Sequence, residues 1–236
     1  MTSRVPGKRV RKTAVERRRE IVDTAAIIGL YDGLECVTLR RVAETLDVRG
    51  GLISHYFPAI EELVAQAFTS AASGELEALL PEPPAQDTAR AVLDCLRRFF
   101  ALTTSSEFDR ISRLWLNARH LSRYRPVLRE HVTTQELLWH RRLTRLITEG
   151  SARQALRCDD PWGSAVHILT VIDGASAYVN TSAELRGTSP LLLARTVAER
   201  ELGLPPGTLG SPAENRDLAM EERLPESGNA PPSTPV

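Results

Sequence analysis

The segment Leu39-Arg-Arg-Val-Ala-Glu-Thr-Leu-Asp-Val-Arg-Gly-Gly-Leu-Ile-Ser-His-Tyr-Phe57 constrains this chain more than any other. Leu39, Val42, Ala43 and Leu46 fall on one helical stripe. After a short break, Val48, Leu52 or Ile53, and Phe57 supply a facing apolar side. Two helices this short bury little apolar surface alone, so they need a third wall, which Ile21, Val22, Ala25, Ala26 and Ile28 offer just upstream. The second helix of the pair turns a small, polar and aromatic face outward through Ser54, His55 and Tyr56. The pattern is a helix-turn-helix unit, whose second helix suits a DNA major groove.

Punctuation residues set the boundaries. Thr13 and Glu16 have the spacing of a capping box, so the first helix starts there and ends at Gly33. Thr38 caps the second helix, Asp47-Val48-Arg49 makes the turn, and the third helix runs from Gly50 to Tyr56. Pro58 stops it and admits a fourth helix over about 59–80. Asp87 is the expected cap of a helix over 88–102, followed by another over 107–119. Pro126 opens a long helix that Gly150 is expected to end. Asp160-Pro161 opens one reaching Leu185, and Ser189-Pro190 a last one closed by Gly203. No strand alternation stands out. The expected fold class is all-α, with a three-helix DNA-binding head and a larger helical effector-binding and dimerisation domain. The corresponding spans are a basic arm at 1–12, the head at 13–58, the helical domain at 59–204, and a tail at 205–236. Seven of the fifteen prolines lie from Pro205 onward, so the tail is expected to be disordered.

The net charge is zero, but the two ends differ: residues 1–20 hold eight basic side chains against two acidic, and residues 211–236 five acidic against two basic. A basic arm beside a helix-turn-helix is where phosphate neutralisation is needed. The longest apolar tract, around 165–179, is broken by His167, Asp173 and Gly174, so no membrane span is expected. The basic N-terminus lacks the apolar stretch of a signal peptide. Cys36, Cys95 and Cys158 have no paired spacing, which argues against a disulfide framework or metal site and fits a reducing cytoplasm. With no metalloprotease motif, phosphate loop or nucleophile elbow, the chain reads as a non-enzyme without a cofactor.

Ile21-Val22, Ala25, Gly33, Thr38-Leu39, Val42-Ala43, Val48, Gly51, Ile53, Tyr56-Phe57, Glu61 and Leu63 together resemble the N-terminal domain of TetR-family transcriptional regulators. Gly51 to Phe57 is similar in particular to the branch containing the choline-responsive BetI-type repressors. The resemblance implies a homodimeric repressor on a pseudo-palindromic double-stranded DNA operator. A small-molecule effector would enter the helical domain, shift the fourth helix and release the DNA. By position, Thr38 and Tyr56 correspond to phosphate contacts. Arg40, Arg49, Gly50, Leu52, Ser54 and His55 correspond to positions facing base edges or the nearby backbone. Three residues depart from the family pattern. Ile60 stands where a phosphate-binding Lys is usual, Arg49 where Ser is usual, and Ala59 where a small capping residue is usual. The N-terminal arginines could replace the lost phosphate contact. Gly50 and Gly51 imply either a reading helix that orders on DNA or one that lets its backbone approach phosphates.

For the effector, Trp115, Arg119, Trp139, Asp173 and Tyr178 are the candidates: aromatic faces with an acid suit a cationic ligand. The last two helices are the candidate dimer interface, through Val166, Leu169, Asp173, Ala177, Leu193 and Val197. Paired across a two-fold axis they would make a four-helix bundle. Two other readings stay open, a DNA-binding scaffold that needs no ligand and an all-helical enzyme or carrier. If the arm supplies phosphate contacts, deleting residues 1–12 should weaken operator binding and lower the slope of log affinity against log salt concentration. An unchanged slope in anisotropy titrations would refute this.

Overall fold

The computed structural model describes residues 12–82, 88–103, 108–181 and 189–210, and every regular element among them is helical. Helix α1 (Ala14–Asp32) starts at a complete capping box. The Glu16 N–H donates to Thr13 Oγ1 at 3.2 Å, and the Thr13 N–H donates to Glu16 Oε2 at 2.7 Å. Gly33, at φ 100°, ends the helix and leads into a 3₁₀ turn over Leu34–Cys36 that the sequence did not announce. Helix α2 (Leu39–Thr45) is capped by Thr38, whose hydroxyl accepts from the Arg41 N–H. It closes with a Schellman motif: Val48 N–H donates to the Ala43 carbonyl and Asp47 N–H to that of Glu44. Asp47 takes the left-handed position at φ 51°, which Asp tolerates because its short polar side chain can bond locally. Helix α3 (Gly50–Tyr56) follows at once.

These three helices share a small core of Ile21, Ala25, Ile28, Leu34, Val37, Val42, Ile53 and Phe57. Arg18 seals its edge, donating from Nη1 to the Tyr56 carbonyl at 2.9 Å with its guanidinium 4.2 Å above the Phe57 ring. Helix α4 (Ile60–Leu79) leaves the head and packs on α1 through Leu63, Val64, Ala67 and Phe68. Beyond it lie α5 (Ala89–Thr103), α6 (Phe108–Ser122), α7 (Pro126–Ala152), α8 (Pro161–Thr181) and α9 (Ser189–Glu201). Helices α4, α6, α7 and α8 pack around one another, and α9 lies against α8.

Several boundaries differ from the sequence expectations. The expected Asp87 cap lies outside the described residues; the Thr88 hydroxyl accepts from the Ala91 N–H. Residues 182–185, expected at the end of α8, also lie outside them. Gly150 does not end α7. The helix continues to Ala152 and stops at Gln154, at φ 58°, where Ala155 N–H donates to the Gly150 carbonyl and Gln154 N–H to that of Ser151. Gly150 instead makes room for Leu156: a Cβ there would lie 2.5 Å from Leu156 Cδ1 and 2.9 Å from Val92 Cγ1.

Part of the expected tail is ordered. Residues 205–210 are packed, with Leu209 only 1% exposed. The Glu199 carboxylate accepts from the N–H groups of Gly207 (3.0 Å) and Leu209 (2.8 Å), and Arg97 donates to the Thr208 carbonyl. Composition missed this because one buried acid and one leucine, not an apolar run, hold the segment. Residues 1–11 and 211–236 lie outside the description. The two glycine-related positions predict opposite signs. Gly150→Ala should destabilise by about 1–3 kcal/mol through overpacking, whereas Gln154→Gly should stabilise by up to about 1 kcal/mol by relieving the left-handed residue. Thermal unfolding of the two variants checks both.

Candidate nucleic-acid interface and ligand cavity

On the head, the turn before α3 and the first residues of α3 form an open surface. Thr38, Arg40, Arg49, Gly50, Ser54 and His55 are exposed, and Leu52 and Tyr56 are half-buried. Arg49 occupies the α3 N-cap position without a side-chain capping bond, so its guanidinium is not consumed by the helix end. No Cβ placed at Gly50 or Gly51 would meet anything within 4 Å, so neither glycine is required by packing inside the chain. Tyr56 packs by its ring on the head core and lies edge-on to His55, with ring centroids 5.4 Å apart. Arg40 is paired only with Glu44 of its own helix at 2.7 Å, and both side chains are exposed. Such a pair is worth little in water, so Arg40 can leave it for a stronger anion.

Not every nearby cation is available. Arg18 is spent on Tyr56 and Phe57, and Lys12 and Arg17 both pair with Glu20. Arg41 pairs with Asp32 on α1. Arg19 remains exposed, loosely paired with Asp23 at 3.7 Å.

In the helical domain, α4, α5, α6, α7 and α8 surround a small, partly open cavity. Trp115, Arg119, Trp139 and Asp173 all line it. Glu75, Glu136 and His140 join them, and Leu79, Phe108, Leu169 and Ile172 supply apolar wall. Arg119 is the hub. Its Nε donates to Glu136 at 2.9 Å, an Nη to Asp173 at 2.7 Å, and its guanidinium lies 5.0 Å from the Trp115 ring centre. Burial pushes the Asp173 carboxyl up, and Arg119 opposes that shift. Trp115 Nε1 donates to Glu75 at 2.7 Å. Burial raises Glu75 to about 8, because the indole bond does not offset desolvation and the nearby Asp173 adds repulsion. His140 donates from Nδ1 to the Glu136 carbonyl, which fixes the protonated nitrogen because a carbonyl can only accept.

Three of the candidate assignments do not fit this geometry. Tyr178 is 60% exposed and does not line the cavity. Leu169 and Asp173, also named for the dimer interface, are on the cavity wall. The outward stripe of α8 is His167, Thr170, Gly174, Tyr178 and Thr181, continued on α9 by Leu192, Leu193, Thr196 and Arg200. Leu193 is therefore on the exposed face, at 51%, while Val166, Ala177 and Val197 are half-buried at its margins. The sequence alone could not choose a face because α8 is apolar on both sides. Glu75 was missed, although it carried a signal. It lies half-buried beside the buried α4 stripe Phe68, Ala72, Leu76 and Leu79, where an acid is out of place.

The head and the cavity are joined by two helices. Helix α4 packs on α1 near its start and carries Glu75 near its end, about 22 Å along the axis at 1.5 Å per residue. Helix α6 carries Trp115 and Arg119 toward the cavity and Asn117 toward the head, where its Oδ1 accepts from the Leu34 N–H at 2.8 Å. Arg110 of α6 also bonds the Tyr31 hydroxyl of α1.

No protein-family model and no curated protein matches the chain. Solved structures do. A TetR transcription regulator from Haloarcula marismortui is similar with TM-score 0.62 and 17% identity, over 80% of this chain and 97% of that one. A candidate transcriptional regulator from Saccharomonospora viridis, in complex with choline, gives 0.63 and 21% over 78% and 95%. The multidrug binding protein EbrR, complexed with proflavin, gives 0.55 and 22% over 79% and 99%. The likeness is one of fold: this chain has the all-helical architecture of TetR-type regulators.

The half-buried acid Glu75 makes a prediction about stability. Unfolded, Glu75 ionises near its ordinary value of 4.5; folded, it keeps its proton to about 8. Between those values the unfolded chain has lost a proton that the folded chain holds, so Glu75 lowers stability as pH rises through that window. Glu75→Gln should therefore melt above the parent, with a gap that opens between pH 5 and 8 and is constant beyond. Parallel melting curves would show that the carboxyl is not held neutral.

Proposed function

We propose that the protein is a homodimeric transcriptional regulator of the TetR type, a repressor that leaves a pseudo-palindromic operator when a small molecule enters the helical domain. One observation carries this reading. The open face from Arg49 to His55 is mounted at one end of α4, and a walled cavity with Glu75 on its lining is at the other. In this reading Arg49, Ser54 and His55 meet base edges or nearby backbone. Thr38, Arg40 and Tyr56 meet phosphates, and Gly50 with the half-buried Leu52 completes the docking surface. The Thr38 hydroxyl already accepts from Arg41 N–H, so it donates its own proton to the phosphate.

Release follows from the shared helices. A ligand wedged against Trp115 and Arg119 on α6, or Glu75 on α4, displaces elements that also hold the head through Leu34, Tyr31 and the α1 core. The complexes of the Saccharomonospora viridis protein with choline and of EbrR with proflavin support ligand occupancy in this fold. Dimerisation places the α8 and α9 stripes of two copies face to face, burying Tyr178, Leu192 and Leu193 around the close-approach position Gly174. Trp115, Arg119, Trp139 and Asp173 serve the effector, and Tyr178 passes to the dimer face.

Selection from random duplexes with the intact protein should return an inverted repeat whose half-site centres lie about one helical turn, ~34 Å, apart. Tyr56→Phe, which keeps the ring packed and removes only the hydroxyl, should weaken that binding about tenfold without changing helicity. Leu193→Glu should give a monomer in light scattering and abolish tight binding. Selected sites without two-fold symmetry, or a monomeric parent protein, would overturn the reading.

A further inference from the structure

The charges on the cavity wall do not balance. Arg119 is engaged by both Glu136 and Asp173, at 2.9 and 2.7 Å, so its attraction is already used. Glu75 is a third acid with no ion-pair partner among the described residues; its printed bond is from the Trp115 indole. A second, independent feature belongs to another residue of the cavity lining. Trp139 is 7% exposed, and its Nε1 has no hydrogen-bond partner among the described residues. A buried indole N–H left unpaired is costly, and it needs an acceptor. The wall therefore offers one uncompensated acid, one unused donor, two indole rings and apolar sides.

Building on the regulator reading, we propose that the effector is an organic cation bearing a hydrogen-bond acceptor, with Glu75 as its counter-ion and Trp139 as its donor, and that it enters in exchange for the proton on Glu75. The geometry disfavours an anion, since the guanidinium that would receive it is shared between Glu136 and Asp173, and Asp173 and, once ionised, Glu75 would repel it. A cation finds the faces of Trp115 and Trp139 and a carboxyl that becomes fully attractive once ionised.

The exchange is balanced. The cation arrives, the Glu75 O–H bond breaks heterolytically, the carboxylate keeps the electron pair, and the proton goes to solvent. The charged and titratable groups facing Glu75 are Arg119 on α6, Glu136 and His140 on α7, and Asp173 on α8; Thr103, the α5 residue on the cavity wall, is uncharged. Because Glu75 is held neutral up to about pH 8, cation affinity should rise with pH, by up to tenfold per unit, and level off above that value. Ionising Glu75 also recruits α4 to the ligand, which couples the exchange to the head.

Calorimetry on the full-length protein tests this with three probes that share a phenolic acceptor. These are the (3-hydroxybenzyl)trimethylammonium cation, its neutral isostere 3-neopentylphenol, and the 3-hydroxyphenylacetate anion. At pH 8 the cation should bind at least tenfold tighter than the neutral isostere, with the anion weakest. Below pH 8, heats in phosphate and Tris should report release of up to one proton per cation bound. Glu75→Gln should cut the cation-to-neutral preference below threefold and remove the proton release, its raised melting temperature showing that it is folded. Equal binding of cation and isostere, preference for the anion, no binding of any probe, or an unchanged preference in Glu75→Gln would each overturn the proposal. If the cation binds as described but leaves the DNA complex intact, effector release fails while the ligand class stands. If the anion binds and frees DNA, the regulator reading stands and the cation proposal falls.

Discussion

The buried face of α4 is the constraint on which the rest depends. Leu63, Val64, Ala67 and Phe68 complete the packing of the head, and Ala72, Leu76 and Leu79 belong to the helical domain. One helix thus runs through a single continuous core shared by the head and the helical domain, so neither part can shift along it without disturbing the other. Phe68 marks the join: it lies edge-on to Trp115 at 5.0 Å, and the same Trp115 bonds Glu75. Interiors packed at this density pass displacements on instead of absorbing them.

The arginines divide into two groups that their sequence positions do not distinguish. Arg18 and Arg142 close packing edges. The first holds the end of α3, and the second donates to the Leu80 carbonyl at the exit of α4 while pairing with Glu77 and Glu82. Arg40 and Arg49 stay exposed on the side of the head that bears His55. Near-zero net charge is compatible with nucleic-acid binding because many cations are neutralised by ion pairs within the chain, while Arg49 keeps its guanidinium free of a helix-capping role.

Helix starts were legible where a short polar side chain must satisfy orphan N–H groups. Thr13, Thr38 and Asp160 all cap as their spacing requires. Helix ends were less legible. A left-handed C′ residue is usually Gly, as at Gly203, yet Asp47 and Gln154 fill the same role where the following chain folds back tightly enough to impose it. Gly150 was misread for the complementary reason: its missing Cβ serves a contact with Leu156, a residue beyond the helix end.

Sequence by itself determined the all-helical class, the three-helix head and the exposure of Arg49, Ser54 and His55, because helical period, caps and turn spacing are local properties. It also gathered Trp115, Arg119, Trp139 and Asp173 as cavity residues, since polar and aromatic groups on mostly apolar helices are conspicuous. Only the tertiary structure decided that Asp173 turns inward and Tyr178 outward, because α8 is apolar around most of its circumference and its rotation is set by α6, α7 and α9. Only the tertiary structure, likewise, left Glu75 without an ion pair among the described residues. Whether a buried acid is paired depends on which helices surround it, and no spacing along the chain encodes that.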